Sequence, residues 1–499
     1  MNKFTLNNFI HPFLFAIFPI LSLYSYNIGI IPFERLFLPL GISIVCIFII
    51  IIVLKLIFKK SNKTSLIVSI GTIFFFFYGH LFNLISELNP EQYIHHRFVM
   101  IPYLAFFVVP LIFLIKTKKN LDNANKIATS IGIIFIVIAS SNILFNSTFS
   151  EDYENASLIE QNFTIEKKPD IYYLVFDAYG DDHTLERLFG YDNSDFKQFL
   201  LQKGFKSSFP SYSNYHTTYL SLSSSLNLNY VNELIDENNS SFNVVSANRL
   251  IDKNNLMQTM SKNGYVNINF DSGWGPTRNI SVADMNLCGN NFLLFSEFLI
   301  SIAETSMLKP VYAKFFESDH RDRILCTIST IPIISENIEK PVFVFAHLLL
   351  PHPPYVFDSL GNPTLTESLQ FVSDDIENEK MLYLEQLQFT NKKIKGIVEK
   401  LISENAIIII QSDHGPPDSI FSINNKESTD KDKLRNINYY YFPNNDQIIY
   451  DGITPVNSFR IIFKNYFSSD LEILPDKNFY IDEKVNQYKI IDITTELSD

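Results

Sequence analysis

Two polar sites after residue 170 contain residue types that can perform metal-assisted chemistry. Asp177 follows the apolar run Ile171–Phe176, and Asp413 and His414 follow the apolar run Ala406–Ile410. Two carboxylates and one imidazole form a mixed oxygen and nitrogen ligand set. Such a set suits Zn²⁺ or Mn²⁺ and leaves a coordination position for a reacting group. We therefore predict that these three polar residues bind a divalent metal.

Each of these residues also has a purely structural interpretation. Asp177 can cap a helix or stabilise a turn, and the pair Asp413 and His414 can hydrogen-bond within a loop. The tripeptide Ser-Asp-His occurs again at 318–320, where it follows a helical segment and precedes Arg321 rather than glycine. We interpret that second copy as ordinary surface. The position of the first set after buried strands favours the metal-site interpretation.

Two histidines and a hydroxyl-rich segment are candidates for the remaining chemistry. His347 and His352 follow the apolar run Pro341–Ala346, and either packing or proton transfer explains them. Hydroxyl residues in the segment 213–227 precede a helical pattern. At a helix N-terminus, backbone N–H groups favour negative charge, and a bound metal lowers the pKa of a hydroxyl. Either a nucleophile or a simple capping segment explains this pattern.

Trp274 is a candidate for a residue that lines a glycan pocket, although packing is the favoured interpretation of its role.

Apolar runs and helical patterns alternate from residue 169 onward. Continuous runs rich in β-branched and aromatic residues predict strands buried on both faces. The alternation with helices predicts an α/β domain with a mainly parallel central sheet. Because the carboxyl ends of parallel strands meet at one edge, we expect the three polar loops to share a site. The predicted strands are 171–176, 341–346 and 406–410, and the predicted helices are 193–203, 247–263 and 375–403.

The first 150 residues contain five long apolar stretches. Each approaches the ~20 residues that a helix needs to cross a bilayer, and their succession predicts a transmembrane region. Lysines cluster after the second and fourth stretches, which the positive-inside rule places in the cytoplasm. We therefore expect a multi-pass protein of the cell (plasma or inner) membrane with its catalytic domain on the extracytoplasmic side. The stretches are Ile10–Tyr26, Leu36–Ile57, Ser65–Ile85, Phe98–Ile115 and Ile127–Leu144.

Charge divides the chain at the same place. Residues 1–150 carry 11 Lys/Arg and 4 Asp/Glu, whereas the rest carries 29 and 49. Polynucleotides bind basic surfaces, so we expect no nucleic-acid partner for the acidic part. Three cysteines are too few for a disulfide scaffold or a cysteine-rich zinc module. We predict a five-span transmembrane region at 1–147, a polar linker at 148–168 and an exported catalytic domain at 169–499.

The ordered combination of these motifs resembles the alkaline phosphatase superfamily. The resemblance is carried by Asp177 after a strand, by Thr-x-x-Ser at 218–221 and by Ser-Asp-His-Gly near the C-terminal end. The five-span anchor is similar to that of the membrane-anchored, sulfatase-like branch. That branch includes lipoteichoic acid synthases and lipid A phosphoethanolamine transferases. The resemblance implies an alkaline phosphatase/sulfatase-like fold across residues 169–420.

The resemblance also implies roles for individual residues. It makes the Asp/Asp/His set metal ligands and Thr218 the nucleophile, with the neighbouring Thr217 as an open alternative. His347 and His352 match a histidine pair that contacts the phosphoryl group, donates to the leaving group or binds a second metal; His352 is the better placed by motif. No histidine follows His414, although two-metal members often carry one there. We therefore expect one divalent metal, Zn or Mn, rather than two.

Two departures from the branch bear on the reaction. Many of its transferases carry glutamate where this chain has Asp177. Sulfatases need a Cys/Ser-x-Pro-x-Arg motif, and neither Cys288 nor Cys326 lies in one. We therefore do not expect hydrolysis of sulfate esters.

The leading hypothesis is a metal-dependent transferase that works at the membrane surface. It moves a phospho-headgroup from a phospholipid of the bilayer to a cell-surface glycan or lipid through a phospho-Thr218 intermediate. Exchange between existing phosphate esters needs no nucleotide, which agrees with an extracytoplasmic location. Two alternatives stay open. One is a sulfatase-like hydrolase, a phosphodiesterase or phosphatase, and the other is an inactive scaffold for envelope polysaccharide assembly.

Overall fold

The computed structural model divides the chain into two compact units. Unit 1 comprises residues 1–152 and 291–316, and unit 2 comprises residues 153–290 and 317–499. The predicted linker lies almost wholly outside the described residues, and the predicted domain boundaries stay predictions. The described residues are 9–28, 31, 33–58, 61–88, 95–148, 168–234, 244–289, 297–364, 376–417, 430–444, 448–481 and 490–497.

Helices and strands of the described residues are numbered separately in chain order. The helices are α1 (Ile10–Tyr26), α2 (Phe37–Phe58), α3 (Ser61–Glu87), α4 (His96–Lys116), α5 (Asp122–Thr148), α6 (Asp182–Phe189), α7 (Ser194–Gln202), α8 (Thr218–Asn227), α9 (Val231–Leu234), α10 (Val244–Asp252), α11 (Asn255–Lys262), α12 (Gly275–Arg278), α13 (Glu297–Thr305), α14 (Lys309–Thr330), α15 (Ile376–Leu401), α16 (Asp430–Leu434), α17 (Pro455–Tyr466) and α18 (Thr494–Leu497). The strands are β1 (Ile171–Phe176), β2 (Lys206–Ser207), β3 (Val266–Phe270), β4 (Met285–Leu287), β5 (Val342–Leu348), β6 (Ile407–Gln411), β7 (Asn438–Tyr441), β8 (Phe479–Ile481) and β9 (Ile490–Asp492).

Unit 1 consists mainly of apolar helices. Four of them, α2 to α5, are long and apolar enough to cross a membrane, whereas α1 has only 17 residues. All five predicted stretches form helices, and the number of five spans stays a prediction. His11 of α1 hydrogen-bonds Ser69 of α3 (2.6 Å) and Asn125 of α5 (2.9 Å). Such polar contacts hold apolar helices together where the hydrophobic effect cannot.

Helix α13 packs on the N-terminal helices of unit 1 although it lies far along the sequence. The Met307 N–H donates to the Phe75 carbonyl oxygen of α3 (2.9 Å), and Phe298 packs in a cluster with side chains of α1. Gly79 permits this approach, because a Cβ there would lie 2.0 Å from the Glu304 carbonyl oxygen. Residues 291–316 therefore belong to unit 1 and interrupt the sequence of unit 2.

A disulfide joins the two segments of unit 2 that flank this interruption. Cys288 and Cys326 are bonded, with 5.7 Å between their Cα atoms. Cys46 is a free cysteine. Because disulfides persist mainly in oxidising compartments, this bond agrees with export of unit 2 from the cytoplasm.

Unit 2 is an α/β domain with a mainly parallel, seven-stranded sheet. The strand order is β2-β7-β6-β1-β5-β3-β4. The five strands from β6 to β4 are parallel, and β7 and β2 are antiparallel to their neighbours. Leu174 of β1 pairs with Ala346 of β5 on one side and Ile410 of β6 on the other. The three predicted strands are thus adjacent, and their carboxyl ends share one edge.

The side chains of β1 alternate between two apolar cores, one on each face of the sheet. Even-numbered residues from Tyr172 to Phe176 pack with α7 and α15, and odd-numbered residues from Ile171 to Val175 pack with α8, α11 and α17. Full burial of one such side chain stabilises the fold by about 1.5–3 kcal/mol. All six residues are buried, as the continuous apolar run predicts.

Two predicted elements differ from the observed ones. The helix expected at 247–263 is two helices, α10 and α11, because Asn254 caps a new helix by accepting from the Met257 N–H (2.9 Å). Strand β5 continues to Leu348, so His347 lies inside the strand rather than after it. Helix and strand ends depend on local hydrogen bonds that periodicity does not report.

Candidate active site

The carboxyl edge of the sheet brings the three predicted metal ligands together. Asp177 follows β1, and Asp413 and His414 follow β6, its hydrogen-bonded neighbour. One ligand atom from each of the three residues lies within 4.8 Å of the others. His414 Nε2 is 3.5 Å from Asp177 Oδ1 and 3.5 Å from Asp413 Oδ2. This geometry is that of a compact candidate metal site.

Two oxygens of this cluster lack the hydrogen bonds that buried polar atoms normally make. Asp177 Oδ1 and Asp413 Oδ2 accept no hydrogen bond from any described residue, and both side chains are buried. A buried polar atom without a partner costs about 1–3 kcal/mol, and more when it is charged. Both oxygens face His414 Nε2. The residues present therefore fit a divalent cation.

The hydrogen bond at the other nitrogen of His414 sets its tautomer. His414 Nδ1 lies 2.7 Å from the Gly415 carbonyl oxygen, which can only accept, so Nδ1 carries the proton. Nε2 then directs a lone pair toward the two carboxylates. A metal-binding histidine needs this state, because its other ring N–H commonly donates to a carbonyl or carboxylate oxygen.

The glycine of the Ser-Asp-His-Gly motif has a steric role. A Cβ on Gly415 would lie 2.1 Å from the Asp432 carbonyl oxygen of α16. The Gly415 N–H donates to the Lys433 carbonyl oxygen at 2.8 Å. Any larger residue would push apart the two backbones that this hydrogen bond joins, and His414 would move with them.

Thr218 reaches the same cluster from another element. It is the first residue of α8, and its Oγ1 lies 3.1 Å from His414 Nε2. One turn later, Ser221 Oγ donates to the Asp413 carbonyl oxygen (2.6 Å), which attaches α8 to the loop after β6. Thr217 is the N-cap residue and makes no side-chain capping bond. Of the two candidate threonines, Thr218 is the one in contact with His414.

His347 lies on the opposite side of β1 from the β6 loop. Its Nε2 is 3.4 Å from Asp177 Oδ2, and its side chain is fully buried. Its Nδ1 hydrogen-bonds the Thr277 hydroxyl (2.9 Å), which in turn hydrogen-bonds the Ser272 hydroxyl (2.7 Å). This pair of hydroxyls orients the imidazole toward Asp177, as outer partners do around metal sites.

His352 lies in the loop that follows β5. The backbone N–H of His352 donates to the Asp177 carbonyl oxygen (3.2 Å), and the backbone carbonyl oxygen of His352 accepts from Gln386 Nε2 (2.9 Å). Unlike His347, His352 is partly exposed. A histidine that borders a buried cluster and also meets solvent can exchange protons with both.

Electrostatic coupling separates the pKa values of the two carboxylates. Burial by itself would raise the pKa of Asp177, but its interactions with His352, His347 and His414 lower that pKa below the usual range. Burial and the neighbouring Asp177 charge raise the pKa of Asp413. Two carboxylates this close repel one another, and a bound cation compensates that repulsion.

The family follows from the part of the sequence that forms this domain. The family model described as Sulfatase matches residues 169–436, more than half of the 499-residue chain. The chain belongs to the sulfatase family. The predicted resemblance to the sulfatase-like branch of the alkaline phosphatase superfamily is therefore confirmed. Among curated proteins, none matches the chain significantly.

Solved structures similar to this sulfatase-family member include two transferases and one hydrolase. The C-terminal periplasmic domain of phosphoethanolamine transferase EptC from Campylobacter jejuni shares 13% identity over 62% of this chain and 92% of its own, with a TM-score of 0.40. The integral membrane protein lipooligosaccharide phosphoethanolamine transferase A from Neisseria meningitidis shares 12% identity over 91% and 94%, with a TM-score of 0.40. The phosphonate monoester hydrolase of Agrobacterium radiobacter shares 10% identity over 64% and 82%, with a TM-score of 0.39.

The segment after β3 contributes to this sulfatase-family site. Trp274 was predicted there only as a candidate pocket residue with packing favoured, and Thr277 was not predicted. The ring of Trp274 lies 5.6 Å from that of His347, edge to face, and 4.6 Å from that of Tyr219. Thr277, which orients His347, lies in the short helix α12 that follows immediately. The sequence Asp-Ser-Gly-Trp-Gly at 271–275 is unusual, but it has no spacing relative to His347 that would predict their contact.

The second Ser-Asp-His copy is buried, so the expectation that it is ordinary surface is wrong. Asp319, His320 and Arg323 of α14 are all nearly inaccessible. Arg323 forms an ion pair with Asp319 and lies 3.2 Å from Asp271. Burial and the charges of Arg323 and His352 lower the pKa of His320 to about 3. The polar side of α14 packs inside the sulfatase-family domain because Asp271 supplies the opposite charge there.

Proposed function

We propose that this protein is a membrane-anchored transferase that moves a phospho-headgroup from a phospholipid to a cell-surface glycan or lipid. One observation carries the proposal: the Thr218 hydroxyl, at the N-terminus of α8, lies 3.1 Å from His414 Nε2 within the buried Asp/Asp/His cluster. A hydroxyl in this position lies next to the candidate metal ligands and beside the N–H groups of a helix start. That arrangement suits a nucleophile that attacks an anionic phosphorus centre.

One divalent metal, Zn²⁺ or Mn²⁺, would be held by Asp177, Asp413 and His414. Bound there, it would stabilise negative charge on the phosphoryl oxygens and lower the pKa of a nearby hydroxyl. The unsatisfied oxygens of the two aspartates support this assignment. The Thr277 hydroxyl holds His347 against Asp177 and so keeps the carboxylate in place.

In the first half-reaction, Thr218 Oγ releases its proton to solvent and forms a bond to the phosphorus of the lipid phosphodiester. The bond from phosphorus to the diacylglycerol oxygen breaks, and that oxygen takes a proton. His352 borders the cluster and meets solvent, so we assign it as the donor of this proton. The N–H groups at the start of α8 stabilise the phosphoryl oxygens as charge develops.

In the second half-reaction, a hydroxyl of the glycan or lipid acceptor attacks the phosphorus of phospho-Thr218. The acceptor gives its proton to His352, which lost one in the first half-reaction, and the Thr218 Oγ–phosphorus bond breaks. Thr218 Oγ then takes a proton from solvent. Water in place of the acceptor yields hydrolysis through the same intermediate. The hydrolase alternative therefore differs only in what reaches the intermediate.

The location of the protein forms part of this proposal. Four helices of span length and the Cys288–Cys326 disulfide support an anchored protein whose unit 2 lies on the extracytoplasmic side of the plasma or inner membrane. An anchored site meets its lipid donor at high effective concentration. The five spans at 1–147 and the exported domain at 169–499 belong to the same proposal.

Intact-mass spectrometry of the full-length protein in detergent tests the intermediate. Wild type, Thr218→Ala and Thr217→Ala are incubated with phosphatidylethanolamine and Mn²⁺ or Zn²⁺. We expect wild type and Thr217→Ala to gain the mass of the phospho-headgroup, and Thr218→Ala to gain none. Thr217→Ala is the matched control, because it removes the adjacent hydroxyl from the same helix start.

Each other outcome selects an alternative. An adduct that persists in Thr218→Ala would overturn the choice of nucleophile. Release of free headgroup into water, without any acceptor, would favour the hydrolase. Unchanged lipids together with absence of bound metal would favour the scaffold.

A further inference from the structure

Unit 1 contains an apolar groove with a volume of about 840 Å³. It lies among α2, α3, α4 and the segment from α13 to the start of α14. Ile47, Leu54, Val68, Phe75 and Ile302 are representative of its described lining, which contains no Asp, Glu, Lys, Arg or His. A space of this size without ionisable groups excludes a polar ligand, because polar groups inside it would find few partners.

We infer that this groove holds the acyl chains of a two-chain phospholipid; resting on the proposed function, we further infer that this lipid is the headgroup donor. A cavity of about 150 Å³ binds benzene, so 840 Å³ accommodates on the order of thirty carbon atoms. That is the carbon content of two long acyl chains. The lining of α2 runs from Pro39 to Phe58, roughly 28 Å at the rise of an α-helix, so the space is elongated as extended chains require.

Small side chains facing one another create the space. Gly71, Ser43, Ala303 and Ser306 all border it. An added Cβ at Gly71 would meet only the Phe107 ring, at 3.8 Å. Helices of span length stand in hydrocarbon rather than water, so lipid chains are the molecules available to occupy a dry groove between them.

The segment that borders the groove also carries one acid and one base. Glu304 and Lys309 interact electrostatically and flank the lining residues Ser306 and Leu308 in sequence. Lys309 Nζ also donates to Asn83 Oδ1 (2.5 Å). A phosphoethanolamine headgroup carries one negative and one positive charge, so a mixed pair next to an apolar groove complements such a lipid.

Photo-crosslinking of the full-length protein tests the inference without any variant. The protein is reconstituted in phosphatidylcholine vesicles that contain phosphatidylethanolamine with a diazirine in one acyl chain, and crosslinked peptides are mapped. We expect crosslinks to concentrate on the groove residues of α2, α3 and α13. Crosslinks spread evenly over lipid-facing residues such as Phe106 and Ile134, which are 68% and 55% exposed, would overturn the inference.

A matched pair of glycine variants sharpens the test. Gly71→Trp places an indole in the groove. Gly41→Trp places one on α2 at a residue that does not line the groove and whose added Cβ would meet no atom within 4 Å. We expect groove crosslinks to fall at least about tenfold in Gly71→Trp and to change less than twofold in Gly41→Trp. Equal crosslinking in both variants would overturn the inference, as would competition by a polyprenyl phosphate but not by unlabelled phosphatidylethanolamine.

The covalent adduct on Thr218, measured in the same samples, separates this inference from the proposed function. Groove crosslinks in wild type without an adduct would support the lipid site and count against the transferase. An adduct that forms equally in wild type and Gly71→Trp would support the transferase and overturn the groove as its donor site. Thr218→Ala is expected to keep the crosslinks and lose the adduct.

Discussion

The candidate active site in unit 2 and the groove in unit 1 are both assembled from distant parts of the sequence, with opposite chemistry. The active site gathers buried polar atoms, and Asp177 Oδ1 and Asp413 Oδ2 have no hydrogen bond from a described residue. The groove gathers apolar side chains around a space that small residues leave open. The carboxylate oxygens of the active site can therefore accept a positive charge, whereas the apolar side chains of the groove can make further van der Waals contacts.

This difference explains why one region has a sequence motif and the other has none. A cation requires particular ligand atoms at particular positions, so few substitutions are compatible with the site. An apolar groove tolerates many residues of similar size, because dispersion contacts are individually weak and not directional. Substitution of a candidate metal ligand should therefore affect the active site and leave the groove unchanged.

Asp413→Asn has the largest expected effect. It removes one carboxylate charge from the cluster, so we expect loss of metal binding and a decrease in transfer rate of about 10³-fold. Elemental analysis of the purified protein and a headgroup-transfer assay measure these two effects. Lipid crosslinking in the groove should be unchanged, and its loss would indicate general unfolding.

Asp181→Asn is the matched control for Asp413→Asn. Asp181 is also buried, but it caps α6 through the Thr184 N–H (2.8 Å) and pairs with Arg435 (3.0 Å). Asparagine caps a helix about as well as aspartate, so the replacement mainly removes the ion pair with Arg435. It should cost at most about 1 kcal/mol of stability and leave metal content unchanged. If both variants lost metal equally, the assignment of Asp413 as a ligand would be wrong.

Removal of the disulfide should be the next largest effect, and it acts on stability. The bond between Cys288 and Cys326 closes a loop with a sequence separation of 38. Loop-closure entropy predicts a loss of about 4 kcal/mol of unfolding free energy for Cys288→Ser. Thermal unfolding in detergent measures it. Cys46→Ser, at the free cysteine, should leave the melting temperature within about 1 °C of wild type.

Thr277→Val should lower the rate of transfer by about 10–100-fold. The substitution keeps the shape of the side chain and removes the hydroxyl that hydrogen-bonds His347 Nδ1. Thr390→Val is the control, because the Thr390 hydroxyl donates to the Gln386 carbonyl oxygen of its own helix. Steady-state rates should fall for the first variant alone. Equal rates in both would show that His347 needs no orienting hydroxyl.

Acidification from pH 7 to pH 5 should produce the smallest effect, through His320. Its pKa in the folded protein is lowered to about 3, mainly by burial, so between pH 6.5 and pH 3 the unfolded chain binds a proton that the folded protein does not. Its contribution to stability is therefore lost as pH falls through this window, by at most about 1.4 kcal/mol per pH unit. Unfolding of wild type and His320→Gln at pH 7, 6 and 5 measures the slope, which should be shallower in the variant.

Much of the candidate site follows from sequence patterns because it depends on a general property of parallel sheets. Continuous apolar runs identify β1, β5 and β6, and polar residues just after them must lie at the carboxyl edge. Asp177, Asp413 and His414 can therefore be predicted to share this edge, as candidate metal ligands, without a structure. Thr218 is harder, because only the family resemblance, and no spacing rule, connects α8 to that edge.

The sequence by itself determines which segments are apolar enough to cross a membrane or to form buried strands, because these properties depend on local composition. Tertiary structure decides which faces meet. It buries Asp319, His320 and Arg323 against Asp271, and it places the Thr277 hydroxyl behind His347. It also packs α13 against the apolar helices of unit 1 and leaves the groove open beside them. These features depend on contacts between residues far apart in the chain, whose free energies arise only once the fold has brought them together.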